Sequence, residues 1–248
     1  MPIPAKAFQR WLHGIAPNTS TSDICRVSGI KRTTLAQQLV RGKVAETTVV
    51  SISRAYNVNP VSALAAFDAY SQLTDTRPPS RSELVSQIST PDLLRAVLAR
   101  SAADPGAEPA AAAPAGSSVL EPAPHATSVK NWVEAIDDGE LRHRVSAATG
   151  IAPQNYSAQL TANRLAPELA VATSLAAGVA PASGLVATGL VTEAEAGWPP
   201  GARQAALDSL SDGELTTLAG DRLQTLGRAL RRQEHDHEKT EKIWENLG

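Results

Sequence analysis

Lys31, Arg32, Thr33, Thr34, Gln37, Gln38, Arg41 and Lys43 crowd one short stretch of a 248-residue chain. These are side-chain types that meet nucleic acid. Arg and Lys pair with guanine edges or phosphate oxygens, and Gln pairs with adenine through two hydrogen bonds. A helix over Lys31–Arg41 sets Leu35 and Leu39 one turn apart toward a core and leaves the polar residues on its other faces. A second set lies downstream: Arg142 and Arg144, then Gln154, Asn155, Gln159 and Arg164. The last four are expected on a helix over 153–164, with Tyr156 and Leu160 turned inward, and the two preceding arginines are placed to touch phosphates. Ala152 and Pro153 stand where Lys31 and Arg32 stand in the first set, so the electrostatic contribution should be weaker there. Asn and Gln still suffice to read adenine.

Other chemistries find less support. The single cysteine, Cys25, permits no disulfide framework and fits a reducing, cytoplasmic setting; its place beside Ile24 suits a buried small hydrophobe. His235 and His237 are not at the i, i+4 spacing of a helical metal pair, so no metal site is expected. Ala115–Gly116 has the dipeptide at which some phage repressors cleave themselves, but the serine–lysine peptidase domain that reaction needs is not in evidence. No Gly-rich phosphate loop, paired carboxylates or nucleophile motif appears, so neither an enzyme nor a cofactor is expected. The start of the chain does not read as a signal peptide, and no stretch is long and apolar enough to span a membrane.

The elements that must position these residues repeat. An offset of 121 residues, without a gap, pairs Trp11 with Trp132, Ile15 with Ile136, Gly29 with Gly150 and Gln38 with Gln159. It goes on to pair Ser53 with Ser174, Val58 with Val179, Pro60 with Pro181, Leu64 with Leu185, and Pro78–Pro79 with Pro199–Pro200. A repeat of this length is the mark of a duplicated module. Charge is divided unequally. Residues 1–75 hold eight basic and four acidic side chains, a balance of +4, against −1 for residues 126–192. The first copy therefore meets a polyanion more directly. Aromatics are only 4% of the chain and much of its apolar content is alanine, which suits small, closely packed helices in an all-α fold.

Within residues 5–70 five short helices are expected. Phe8, Trp11, Leu12 and Ile15 give the first its apolar face. Ser20–Asp23 opens the second as a capping-box-like start, with Ile24 and Val27 inward, and Gly29 closes it in a left-handed turn. The third is Lys31–Arg41. The fourth runs from about Glu46 to Tyr56 and ends at Asn57. Asn59 caps the fifth, and Pro60 suits its first position.

Ile24–Cys25, Gly29–Ile30, Leu35, Gly42–Lys43 and the ending Asn57-Val58-Asn59-Pro60 resemble the lambda-repressor/Cro type of helix-turn-helix domain, the XRE-like family. The resemblance covers residues 20–64, and about half the chain if the second copy is included. The spacing from Gly29 to Gly42 is one residue longer than is usual for the family. The resemblance implies that Lys31–Arg41 is a recognition helix, with Lys31, Arg32, Thr33 and Gln37 in base-reading positions. It further implies a sequence-specific, double-stranded-DNA-binding transcriptional repressor of the phage-immunity kind.

The organisation expected is a helix-turn-helix domain over 1–75, a helical extension over 76–101, an Ala/Pro-rich linker over 102–125, a second such domain over 126–192 and a C-terminal helical segment over 198–248. Two readers on one chain would let a monomer bind an asymmetric, two-part site, the linker setting the spacing. The alternative is a single N-terminal reader, with a degenerate second module used for dimerisation or protein interaction. A homodimer through the C-terminal helices is the other assembly. Leu223, Leu226 and Leu230 begin a heptad seam that Gln233 and His237 break, so a partly solvated terminal helix is expected rather than a long coiled coil.

Overall fold

The computed structural model describes residues 3–102 and 119–247. Most of the expected linker, including Ala115–Gly116, lies outside the described residues. The fold is all-α with many helices. Among the described residues the one extended pairing joins two-residue strands, β1 (Ile3–Pro4) and β2 (Lys43–Val44), antiparallel with Ile3 opposite Val44. Strands this short carry no alternating pattern for a sequence reading to detect. Burial of both Ile3 and Val44 makes the pairing worthwhile.

Five helices open the chain: α1 (Ala5–Ile15), α2 (Thr21–Ser28), α3 (Arg32–Val40), α4 (Glu46–Ala55) and α5 (Pro60–Ala65). Local chemistry sets their ends. The Ser20 hydroxyl accepts from the Asp23 N–H at 3.1 Å, giving α2 a capped start. Gly29 ends α2 at φ 70°, a conformation that costs a residue with a Cβ. The Asn59 side chain accepts from the N–H groups of Val61 and Ser62, and Pro60 takes the first turn of α5, where a missing N–H costs nothing.

These helices close over Phe8, Ile24, Cys25, Leu35, Val49, Ile52 and Leu64, all buried. Cys25 is a core residue, as its neighbours suggest. Val27 is not: it is 52% exposed. The buried face of α2 runs through Ile24, Cys25 and half-buried Ser28. At 100° per residue, Val27 lies about 200° round the helix from Cys25.

A 3-10 helix over Asp68–Thr74 follows, and then α6 (Arg81–Ser86), α7 (Thr90–Ala102), α8 (Ser128–Ile136), α9 (Leu141–Thr149), α10 (Pro153–Thr161), α11 (Pro167–Ala177), α12 (Ser183–Ala187), α13 (Ala202–Asp208) and α14 (Asp212–Leu247). The stretch 80–100 is thus two helices. The first has a full capping box between Ser80 and Glu83.

The 121-residue offset holds in the backbone as well as in the sequence. Shifted by it, α3 coincides with α10 residue for residue, and α4 begins where α11 begins. Four pairs of positive φ fall in the same register: Asn18 with Gly139, Gly29 with Gly150, Gly42 with Asn163, and Asn57 with Gly178. The fully buried Leu35 corresponds to the fully buried Tyr156. Trp132 is also fully buried, whereas Trp11 is half-buried between Phe8 and Phe67. In the second repeat α12 crosses α11 closely. A Cβ on Gly184 would come within 2.5 Å of the Ala170 carbonyl oxygen, so only glycine fits.

The chain divides into two compact units. The first comprises Met1–Gln87 and Pro122–Arg203 and so holds both repeats; the second comprises Ile88–Glu121 and Gln204–Gly248. In the first unit α6 packs on α8, and buried Gln87 donates to the Ser128 carbonyl while its own carbonyl accepts from Arg203. In the second unit α7 packs along α14. There Arg100 donates to the carbonyls of Leu207 and Leu210, capping the end of α13, and pairs with Asp212. Leu215 and Ala219 of α14 are buried, while Leu223, Leu226 and Leu230 are each nearly half exposed.

Candidate functional site

α3 projects from the first repeat on one buried anchor, Leu35, with Leu39 half-buried behind it. Lys31, Arg32, Thr33, Thr34, Gln37, Arg41 and Lys43 are all exposed. So is Val40, at 88%. The N-terminus of α3 carries two cations, Lys31 and Arg32. Its N-cap is Lys31, with no side-chain acceptor for the first N–H groups, and its first turn contains no acidic residue. α2 has the opposite arrangement, with Ser20 as cap and Asp23 in its first turn. Cations at the positive end of a helix dipole are unfavourable, by about 0.3–1 kcal/mol each. N–H groups without a side-chain cap, together with two cations, form an arrangement that an external phosphate would stabilise.

The other cations sharpen this contrast. Lys6, Arg10, Lys31, Arg32, Arg41 and Lys43 are exposed, and among the described residues none is engaged in an ion pair. Elsewhere in the same unit the guanidinium groups are mostly occupied: Arg26 by Asp23 at 2.9 Å, Arg54 by Glu195 at 2.7 Å, Arg77 by Asp75 at 2.8 Å and Arg203 by Glu193 at 2.9 Å. Lys6 and Arg10 extend the set of free charges. The sequence reading does not single them out, although their i, i+4 spacing on α1, away from Phe8, is a usable signal.

Gln38 serves another purpose. Its Oε1 accepts from the Ala45 N–H at 3.3 Å and the Thr48 hydroxyl at 3.0 Å, so it is half-buried at the start of α4. Gln159 does the same in the second repeat, accepting from the Ala166 N–H at 3.2 Å. Both glutamines stabilise the N-terminus of the following helix, which has no side-chain cap of its own. Helical periodicity places them beside the reading face but cannot reveal a donor seven residues ahead in the chain.

In the second repeat Gln154 and Asn155 are exposed on α10, and Arg142 and Arg164 are exposed without an ion pair among the described residues. Arg144 is not available to a phosphate in this conformation. Its guanidinium pairs with both Asp138 oxygens, at 2.9 and 3.0 Å, and donates to the Ala176 carbonyl at the end of α11. That hydrogen bonding holds the Asp138 carboxyl below its usual range and raises the already high value of Arg144. Sequence spacing gives no sign of a partner on α11.

No His, Cys, Asp and Glu cluster fit to hold a metal occurs among the described residues, and no described helix is long and apolar enough to cross a membrane. The chain matches no family model, no curated protein and no solved structure.

Proposed function

We propose that the chain is a non-enzymatic, sequence-specific reader of double-stranded DNA, a transcriptional repressor of the phage-immunity kind. In this reading each repeat is a lambda-repressor/Cro-type helix-turn-helix module, with α3 and α10 as recognition helices. The observation that carries it is the N-terminal face of α3, exposed, without a side-chain cap, free of acidic residues and bearing Lys31 and Arg32, which have no ion pair among the described residues. A helix of this kind enters the major groove N-terminus first, its amides and cations on phosphate and its Gln37 on base edges. The recurrence of α2–α3 backbone geometry in α9–α10 supports a second reader. The test is a salt-controlled titration of the full chain on duplex DNA. Arg32→Ala or Gln37→Ala should weaken specific binding by about 1–3 kcal/mol. Unchanged binding by both variants would refute the assignment.

A second reading has its own support. Ala152 and Pro153 in place of Lys31 and Arg32, together with the occupied Arg144, favour a second repeat that does not touch DNA. Asn155→Ala and Gln154→Ala in the full chain separate the two readings. If the second repeat is only structural, neither substitution will change the footprint.

A further inference from the structure

The two repeats lie in one compact unit and are joined by specific polar contacts. On α4, Arg54 makes a bidentate pair with Glu195, its Nε and Nη2 each 2.7 Å from a carboxylate oxygen, and donates to the Leu190 carbonyl at 3.2 Å. Asn59, while capping α5 through its oxygen, donates its amide hydrogens to the Glu195 carbonyl at 2.9 Å. Arg77 donates to the Gly178 carbonyl at 2.8 Å, at the end of α11. Glu195 is itself oriented, since its second oxygen accepts from the Thr192 N–H at 2.7 Å. Burial of the pair is partial, but a two-point guanidinium–carboxylate fork fixes an angle as well as a distance.

The location of these contacts matters. No hydrogen bond or ion pair between the repeats uses a residue of α3 or α10 among the described residues. Lys31, Arg32, Thr33, Thr34 and Gln37 stay exposed with the second repeat docked, as do Gln154 and Asn155 with the first repeat in place. Docking therefore consumes neither candidate reading face. If the segment between the repeats alone held them together, the spacing of the two readers would vary with chain length.

We infer that the Arg54–Glu195 and Asn59–Glu195 contacts lock the repeats into a composite reading head for one duplex, whose two half-sites have a single permitted spacing set by this clamp. Arg54, Asn59 and Glu195 are positioning residues in this arrangement and touch no base. The inference rests on the DNA-reading proposal for its ligand, but the clamp itself is testable without DNA. Spin labels at Val40→Cys on α3 and Thr161→Cys on α10 report the distance between the two helices; both sites are exposed, and buried Cys25 stays unlabelled. The wild-type contacts should give one narrow distance distribution. Arg54→Gln removes only an exposed side chain, and Asn59→Asp keeps the α5 cap while removing the amide donor, so each half still folds. Both should broaden the distribution. A broad wild-type distribution, or narrow distributions in both variants, would overturn the clamp.

The matching DNA experiment is selection from a random-sequence duplex library. The wild-type chain should enrich two motifs at one spacing, and lengthening the 106–116 segment with Gly-Ser should leave that spacing unchanged. Arg54→Gln should relax it to several. A spacing that follows the inserted length, or enrichment of a single motif, overturns the composite head while leaving DNA reading intact. Enrichment of nothing refutes the DNA reading, and the distance measurement still judges the clamp.

Discussion

Removing the two charges at the start of α3, in Lys31→Ala/Arg32→Ala, should weaken binding to DNA and leave the fold intact or slightly firmer. Both side chains are exposed, neither has an ion pair among the described residues, and both sit at the positive end of the helix dipole. Relief of that repulsion is worth about 0.3–1 kcal/mol per charge, at most about 2 kcal/mol for the two, so Tm should hold or rise by up to roughly 4–8 °C. DNA affinity should respond in the opposite direction. If all six free cations of the first repeat neutralise phosphates, the slope of log K against log salt is about −5 from these contacts. Affinity then falls about 10³-fold between roughly 50 and 200 mM salt. Losing two contacts flattens the slope by about 1.8 and reduces that fall to about 10²-fold. Fluorescence anisotropy on a labelled duplex across the salt series, with differential scanning calorimetry on the same samples, measures both quantities. A slope equal to that of the wild type refutes the phosphate role. A Tm lowered by several degrees refutes the claim that these charges have no structural partner.

Other expected outcomes follow from the packing and the ion pairs. Leu35→Ala empties the fully buried anchor of α3 and should cost about 2–5 kcal/mol in urea unfolding, with DNA binding lost along with the fold. Gly184→Ala drives a methyl group into the Ala170 carbonyl and the Trp132 ring, and should destabilise by about 1–3 kcal/mol, read as a lower thermal midpoint. Burial, and then a 2.6 Å hydrogen bond to Glu46, raise the Tyr70 phenol above its usual value; Tyr70→Phe removes that bond, and a loss of about 1 kcal/mol is expected in the same assay. Arg54 holds the Glu195 carboxyl below its ordinary value of 4.5. Because the folded value is depressed, the clamp's contribution is complete above the ordinary carboxylate range and fades as pH falls through the lowered value. The spin-label distance should therefore be constant across neutral pH and broaden only in acid; broadening near neutrality would point to a different titrating group.

Much of this architecture is written in local chemistry. Ser20, Gly29 and Asn59–Pro60 announce helix ends because capping and left-handed turns depend on residues a few positions apart. Leu35, Tyr156 and Leu160 are legible as core through helical periodicity, and the 121-residue repeat is legible because the same backbone demands select the same residues or their equivalents, such as Asn57 and Gly178. The roles decided at a distance are not visible in this way. Gln38 turns to the start of α4, Arg144 is held by Asp138 and α11, and Arg54 meets a carboxylate 141 residues away. An exposed polar residue of a periodic helix has the same sequence signature whether it faces solvent or a neighbouring element. Which of the two it faces is fixed only when the helices pack, because a hydrogen-bond partner is chosen by proximity in space, which local periodicity does not encode.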